Sequence, residues 1–367
     1  MKVHFYLADI TFTGGIEKIT TTLANYFVNH GIEVVIVSNF RTNVDFSYEL
    51  DKKVQTVFLS EKKYSGKPGS FERIKNFLEN KKKVFNYFCK LHDEIIIIQS
   101  FPNAFLYSLA MGTKNRNKII NVEHVHYFYY NKFLRILRYF VYKKYNNVCV
   151  LTNADRLQYE KLNIKATCIP NAIEFSNTVE SNEKKVRDKI ILGVGRLEEQ
   201  KNFKTLINVF YKIHKNYPDW KLEIYGKGTL FNTLQNQIKE LDLQDSAFLM
   251  GVSSEIYKLF KKSAMFVLSS LYEGFPMVLC EAMQNGCPVV SYDCPNGPAD
   301  LIQNDKNGLL VENQNEEKLY AAIIKLIENS ELREEFSKNA YISVQKYCIE
   351  NVFNQWKLLF EDLGEKS

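Results

Sequence analysis

No run of this sequence is long and apolar enough to span a bilayer, and its most aromatic stretch, Tyr127 to Tyr145, is broken by Lys132, Arg135, Arg138, Lys143 and Lys144. The opening Met1-Lys-Val-His-Phe-Tyr-Leu-Ala-Asp9 is interrupted too early to read as a secretory leader. Seven cysteines, an odd number without a Cys-x-x-Cys pair, make no disulfide framework and suit the reduced thiols of a cytoplasmic protein. Cys280, Cys287 and Cys294 have no histidine nearby to complete a metal site, and read as small buried hydrophobes on a helix, a strand and its following loop. Asp-x-Asp, internal repeats, low-complexity tracts and the three-glycine dinucleotide fingerprint are all missing. Their absence argues against a repeat protein, a disordered chain and a nicotinamide enzyme.

What is present is globular. A chain of 367 residues with 46% hydrophobic and 25% charged residues calls for about two domains. The net charge of +6 hides an asymmetry: through Phe175 there are 25 Lys and Arg against 15 Asp and Glu, and beyond it 23 against 27. The two halves should meet different partners. Apolar strands over Lys2–Ala8, Glu33–Ser38, Glu94–Ile98, Lys118–Val122 and Asn147–Leu151, with a helix from about Ile16 to Asn29 after the first, predict a parallel sheet covered on both faces. After a polar, turn-like patch at Ser181–Asp188 the pattern restarts. Strands at Ile190–Val194, Lys221–Tyr225, Ala247–Met250, Met265–Ser269 and Pro288–Ser291 alternate with helices at Phe203–Asn216, Leu230–Leu241 and Ser254–Lys261. The expectation is an α/β protein of two Rossmann-like, doubly wound domains, with ligands at the carboxyl ends of the strands.

Ser269-Ser-Leu-Tyr-Glu-Gly-Phe-Pro-Met-Val-Leu-Cys-Glu281 places Glu273 on a loop after a strand and Glu281 about two turns into a buried helix that Pro276 opens. Gly14-Gly15-Ile16-Glu17-Lys18, Glu123-His124, Gly195-Arg196-Leu-Glu-Glu-Gln-Lys201-Asn202 and Ile224-Tyr225-Gly226-Lys227-Gly228 precede it. This ordered set resembles the signature of retaining glycosyltransferases of family 4, which have the two-domain GT-B fold. The resemblance implies an acceptor-side domain over residues 1–172, a nucleotide-sugar domain over 173–345, and a C-terminal helix over 346–367 that crosses back to the first domain.

By that resemblance Arg196 and Lys201 bind the donor diphosphate, in place of the metal that Asp-x-Asp would hold in GT-A enzymes. Glu273 matches the carboxylate on the donor sugar hydroxyls, and Glu281 the one on the ribose. The backbone N–H groups of Phe275, Met277 and Val278 are candidate donors to the sugar, proline having none. Gly14 and Gly15 would let backbone approach a phosphate or the reacting sugar. His124 matches the family histidine near the donor, a neutral or protonated ring able to donate a hydrogen bond, with His126 a neighbour that could share its role. Asn171 falls in the interdomain segment, where Ala172 replaces the usual glycine.

The expected activity is transfer of a hexose or N-acetylhexosamine from a nucleotide sugar, with UDP the expected nucleotide, to a lipid-linked or growing surface glycan, with retention and without a metal or other cofactor. Ser291-Tyr-Asp293-Cys-Pro-Asn-Gly297-Pro298-Ala-Asp300 resembles sequences of transferases that build bacterial surface polysaccharides such as capsule or O-antigen. Alternatives are an inactive nucleotide-sugar-binding or scaffolding protein of the same fold, or a GT-B phosphorylase or epimerase. The basic, aromatic runs Lys81–Lys90 and Phe128–Lys144 suggest adsorption to an anionic membrane, on the inner face of the cell membrane. The competing reading packs Phe133, Leu134, Leu137, Phe140 and Val141 into the core. No nucleic-acid motif is present.

Overall fold

In a computed structural model that describes residues 1–64, 71–173 and 187–364, the chain forms two compact units, one of Met1–Ala172 with the segment from Ile349 onward, the other of Ile173–Cys348. The polar patch expected at Ser181–Asp188 lies mostly outside the described residues.

The first unit holds a seven-stranded, all-parallel sheet: β1 (Lys2–Leu7), β2 (Glu33–Ser38), β3 (Gln55–Phe58), β4 (Ile95–Ile98), β5 (Lys118–Glu123), β6 (Asn147–Val150) and β7 (Ala166–Cys168), in the order β3-β2-β1-β4-β5-β6-β7. Strand periodicity sorts its side chains to two cores. Val3, Phe5, Val34, Ile36, Ile95 and Ile97 face the helix Gly15–Asn29 and the C-terminal helix Ile349–Gly364. Tyr6, Val35, Val37, Ile96 and Ile98 face a layer that includes the helices Lys81–Phe88, Phe101–Met111 and Lys132–Tyr142. The C-terminal helix is fixed by aromatic contact: Phe353, Trp356 and Phe360 surround Phe27 with ring centroids 5.3, 6.4 and 5.8 Å away.

The second unit has a six-stranded parallel sheet: β8 (Asp188–Val194), β9 (Lys221–Tyr225), β10 (Ala247–Gly251), β11 (Ser263–Leu268), β12 (Val289–Asp293) and β13 (Leu309–Glu312), ordered β10-β9-β8-β11-β12-β13. Strand order reverses direction between β8 and β11, so the loops leaving those two strands open the crevice where doubly wound sheets bind ligands. The α/β class and the doubly wound sheets are as the sequence predicts. Cys280 and Cys294 lie on the predicted helix and loop, but Cys287 precedes its strand; all three are buried.

The helix Lys132–Tyr142 departs from both sequence readings. Val141 is buried and Leu134 and Leu137 are partly so, whereas Phe133, Ile136 and Phe140 are 72%, 59% and 60% exposed. Arg138, counted with the basic surface, is instead the largest fully buried side chain among the described residues.

Candidate active site

In the second unit the loop after β8 carries Arg196 and Lys201, and the loop after β11 carries Glu273. Lys201 Nζ donates to Glu273 Oε1 at 2.6 Å, and the Ser270 hydroxyl donates to the same oxygen at 2.6 Å. The pair is well shielded, with side chains 13% and 8% exposed. An ammonium has three donors, so Lys201 keeps two for an anion while Glu273 fixes its direction. Exposed Arg196 is steadied by Gln200: Arg196 Nη2 donates to Gln200 Oε1 at 3.0 Å, and Gln200 Nε2 donates to the Tyr272 carbonyl at 2.9 Å. The Leu271 N–H returns a bond to the Gln200 carbonyl and the Ser269 hydroxyl one to the Lys201 carbonyl, both at 2.8 Å. Gln200, Ser269 and Ser270 stand inside the quoted motifs, yet neither motif reveals these partners.

Local backbone explains the residue types. Asn202 sits at φ +50°, a left-handed turn that asparagine tolerates, between the short turn Glu199–Lys201 and the helix Phe203–His214. Pro276 precedes the helix Met277–Gln284 instead of opening it, because its ψ of 81° is not helical. The Met277 N–H donates to the Phe275 carbonyl at 2.9 Å, which removes Met277 from the candidate sugar donors and leaves Phe275 and Val278. Glu281 is the fifth residue of that helix, little more than one turn along, beside buried Cys280 and Ala282.

In the first unit Gly14 caps the helix Gly15–Asn29, and the Glu17 carboxylate folds over it. A Cβ on Gly14 would meet Glu17 Oε2 at 2.3 Å. Burial, with the Asp9 charge adding, pushes the Glu17 carboxyl up to about 7.

His124 follows β5, and its Nε2 donates to Gln99 Oε1 at 2.7 Å. Burial lowers its pKa to about 4, so the ring is neutral at physiological pH. With Nε2–H committed to Gln99, the neutral ring offers Nδ1 as an acceptor, a different role from the donation expected of it. His124, Asn171 and Trp356 line one small cavity of about 10 Å³, room for a single water. His126 instead stands edge-on to Tyr129, with ring centroids 6.2 Å apart.

Two doubly wound units with cationic and carboxylate side chains at a switch point define the architecture of a GT-B glycosyltransferase. Residues 13–177 match the family model "Glycosyltransferase Family 4" and residues 174–343 the model "Glycosyl transferases group 1". The chain belongs to the family 4 glycosyltransferases. An uncharacterized glycosyltransferase of Haemophilus influenzae is 29% identical over 97% of this chain and 99% of its own. One from Methanocaldococcus jannaschii is 31% identical, over 63% of this chain and 67% of its own. A Campylobacter jejuni enzyme named as an α-1,4-N-acetyl-D-galactosaminyltransferase acting on a GalNAc-containing diphospho-undecaprenol glycan is 25% identical, over 98% of this chain and 99% of its own. Staphylococcus aureus TarM, solved as a mutant with fondaparinux, α-GlcNAc-glycerol and UDP, superposes with a TM-score of 0.79 at 18% identity, over 98% of this chain and 99% of that one. That likeness establishes the fold.

Proposed function

We propose that this glycosyltransferase moves a hexose or N-acetylhexosamine from a UDP-sugar to a lipid-linked or growing surface glycan, with retention and without a metal. The observation that carries the reading is the shielded Lys201–Glu273 pair at the switch point of the second sheet, with Arg196 beside it. Lys201 and Arg196 supply the positive charge that a departing diphosphate needs. Glu273 orients Lys201 and accepts from donor-sugar hydroxyls, Glu281 holds the ribose, and the Phe275 and Val278 amides bind the sugar. On the first unit His124 accepts from a sugar hydroxyl, and the Gly14–Gly15 turn and Asn171 are further ligand-binding positions. In front-face substitution the bond from C1 to the diphosphate oxygen breaks, the acceptor oxygen bonds C1 from the same side, and its proton passes to the leaving diphosphate.

Membrane docking belongs to the same reading. Phe133, Ile136 and Phe140 recur on one side of their helix, flanked by exposed Lys132, Lys143 and Lys144, and Phe71, Ile74 and Leu78 form a second exposed row on the helix Phe71–Glu79. No helix among the described residues is long and apolar enough to cross a membrane. An apolar row edged with lysine suits the surface of an anionic leaflet, where a lipid-linked acceptor resides.

The test is release of UDP from UDP-glucose, UDP-galactose and their N-acetylated forms, with an undecaprenyl-diphosphate-linked glycan as acceptor and EDTA present. Acceptor-dependent release with an α-linked product supports the proposal. Release abolished by EDTA and restored by a divalent ion sinks metal independence, a β-linked product sinks retention, and binding without release favours the inactive alternative.

A further inference from the structure

The segment that carries His124 is gripped at both ends by one buried cluster. At its start Glu123, 3% exposed, ends β5. Glu123 Oε1 accepts from the Tyr142 hydroxyl and, at 3.4 Å, from Asn121 Nδ2. At its far end the Tyr127 N–H donates to Asp155 Oδ1 at 2.8 Å, and the Tyr127 carbonyl accepts from Arg138 Nη2 at 2.7 Å. Arg138 spans the cluster: its Nη1 stands 3.7 Å from Glu123 Oε2. The rings of Tyr127, Tyr130 and Tyr159 enclose the guanidinium at 4.8, 5.3 and 5.3 Å.

A fully buried arginine is costly unless its charge and its donors are used. Here Nη2 hydrogen-bonds the carbonyl three residues after His124, while Nη1, which makes no hydrogen bond, faces the Glu123 carboxylate immediately before His124 at 3.7 Å and holds it by charge alone. Lysine is a compact point charge on a flexible stem and lacks the planar fork that sets two nitrogens in fixed directions towards Glu123 and the Tyr127 carbonyl.

We propose that Arg138 is a positioning residue for the transfer reaction: by tying Glu123 to the Tyr127 carbonyl it fixes the path of residues 124–126 and holds the His124 ring on Gln99. The inference rests on the reading of His124 as an active-site residue, and it assigns Arg138 no contact with substrate.

The test uses the full chain labelled with ¹⁵N-histidine, the His124 signal being identified by its loss in His124→Gln. The variants are Arg138→Lys and the pair Glu123→Gln with Arg138→Gln, which leaves neither member of the Glu123–Arg138 contact as an unpaired charge if the single variant fails to fold. In the parent His124 should show one neutral tautomer with Nε2 protonated. In a folded variant it should show a tautomer mixture, and kcat for UDP release should fall about tenfold or more while donor KM stays within about twofold. Unchanged His124 signals in a folded variant overturn the proposal, as does a loss confined to donor KM. Undiminished turnover in His124→Gln would overturn the reading of His124 itself, while the His124 signals still decide whether Arg138 holds the ring.

Discussion

Lys201 and Glu273 meet at 2.6 Å although they lie 72 residues apart, each on the loop that leaves one of the two strands flanking the switch point. Removing either partner strands the other charge in a shielded site. Lys201→Met or Glu273→Gln alone should therefore weaken the second unit, up to about 3–5 kcal/mol for a fully buried pair. The double variant should recover stability without recovering turnover, because both groups also face the donor in this reading. Thermal unfolding and kcat/KM on all four proteins form the cycle, with a loss of about 100-fold or more expected in turnover. A double variant as active as the parent would make the pair purely structural.

Gly226 makes a second long-range join. At φ +152° its added Cβ would stand 1.8 Å from the Gly195 carbonyl oxygen, on the loop that begins the Arg196 segment. Gly226→Ala should lower the melting temperature and weaken UDP binding by about tenfold or more, through displacement of that loop. Gly15→Ala meets nothing within 4 Å and should melt with the parent. Calorimetric UDP titration and thermal melts separate the two, and wild-type UDP affinity in Gly226→Ala would count against the loop as the diphosphate site.

The strands were legible because buried parallel strands are written as unbroken apolar runs, such as Ile95–Ile98, and those runs need no partner to be recognised. The site was legible as far as its motifs carried residue types. Gln200 was not, since its bond to the Tyr272 carbonyl joins loops distant in sequence. Nor was the inward face of the helix Lys132–Tyr142 legible: Phe133 and Phe140 on one side and Leu134 and Val141 on the other offer two apolar stripes, and only the cluster around Glu123 decides that Arg138 points in. Pro276 misled because its fixed φ suits a helix start while ψ, set by the turn that follows, does not.

That outward stripe predicts lipid dependence. Phe133→Ser with Phe140→Ser removes two mostly exposed rings, the second with only an edge contact to Tyr139, so the fold should be little changed. Burying one phenylalanine is worth about 1.5–3 kcal/mol, so partitioning onto phosphatidylglycerol vesicles should fall by about 100-fold or more. Co-sedimentation measures it, with phosphatidylcholine vesicles as the uncharged comparison. Equal binding of parent and variant would return this helix to an ordinary solvent-facing role.

The pH dependence follows from the sign of the His124 shift. Burial lowers its pKa from 6.5 to about 4, so the fold disfavours the charged ring. Above pH 6.5 the ring is neutral in folded and unfolded chains alike, and the shift has no effect on stability. As pH falls from 6.5 towards 4 the unfolded chain takes up the proton first, and stability drops. His4 and His126 are lowered in the same direction by burial and add to that loss. His124→Gln should therefore melt closer to the parent at pH 5 than at pH 7, having lost one of the three contributions. Turnover should show no acid limb near 6.5 from this ring. Such a limb, present in the parent and abolished in His124→Gln, would mean that His124 keeps an ordinary pKa and is free to act as a proton donor.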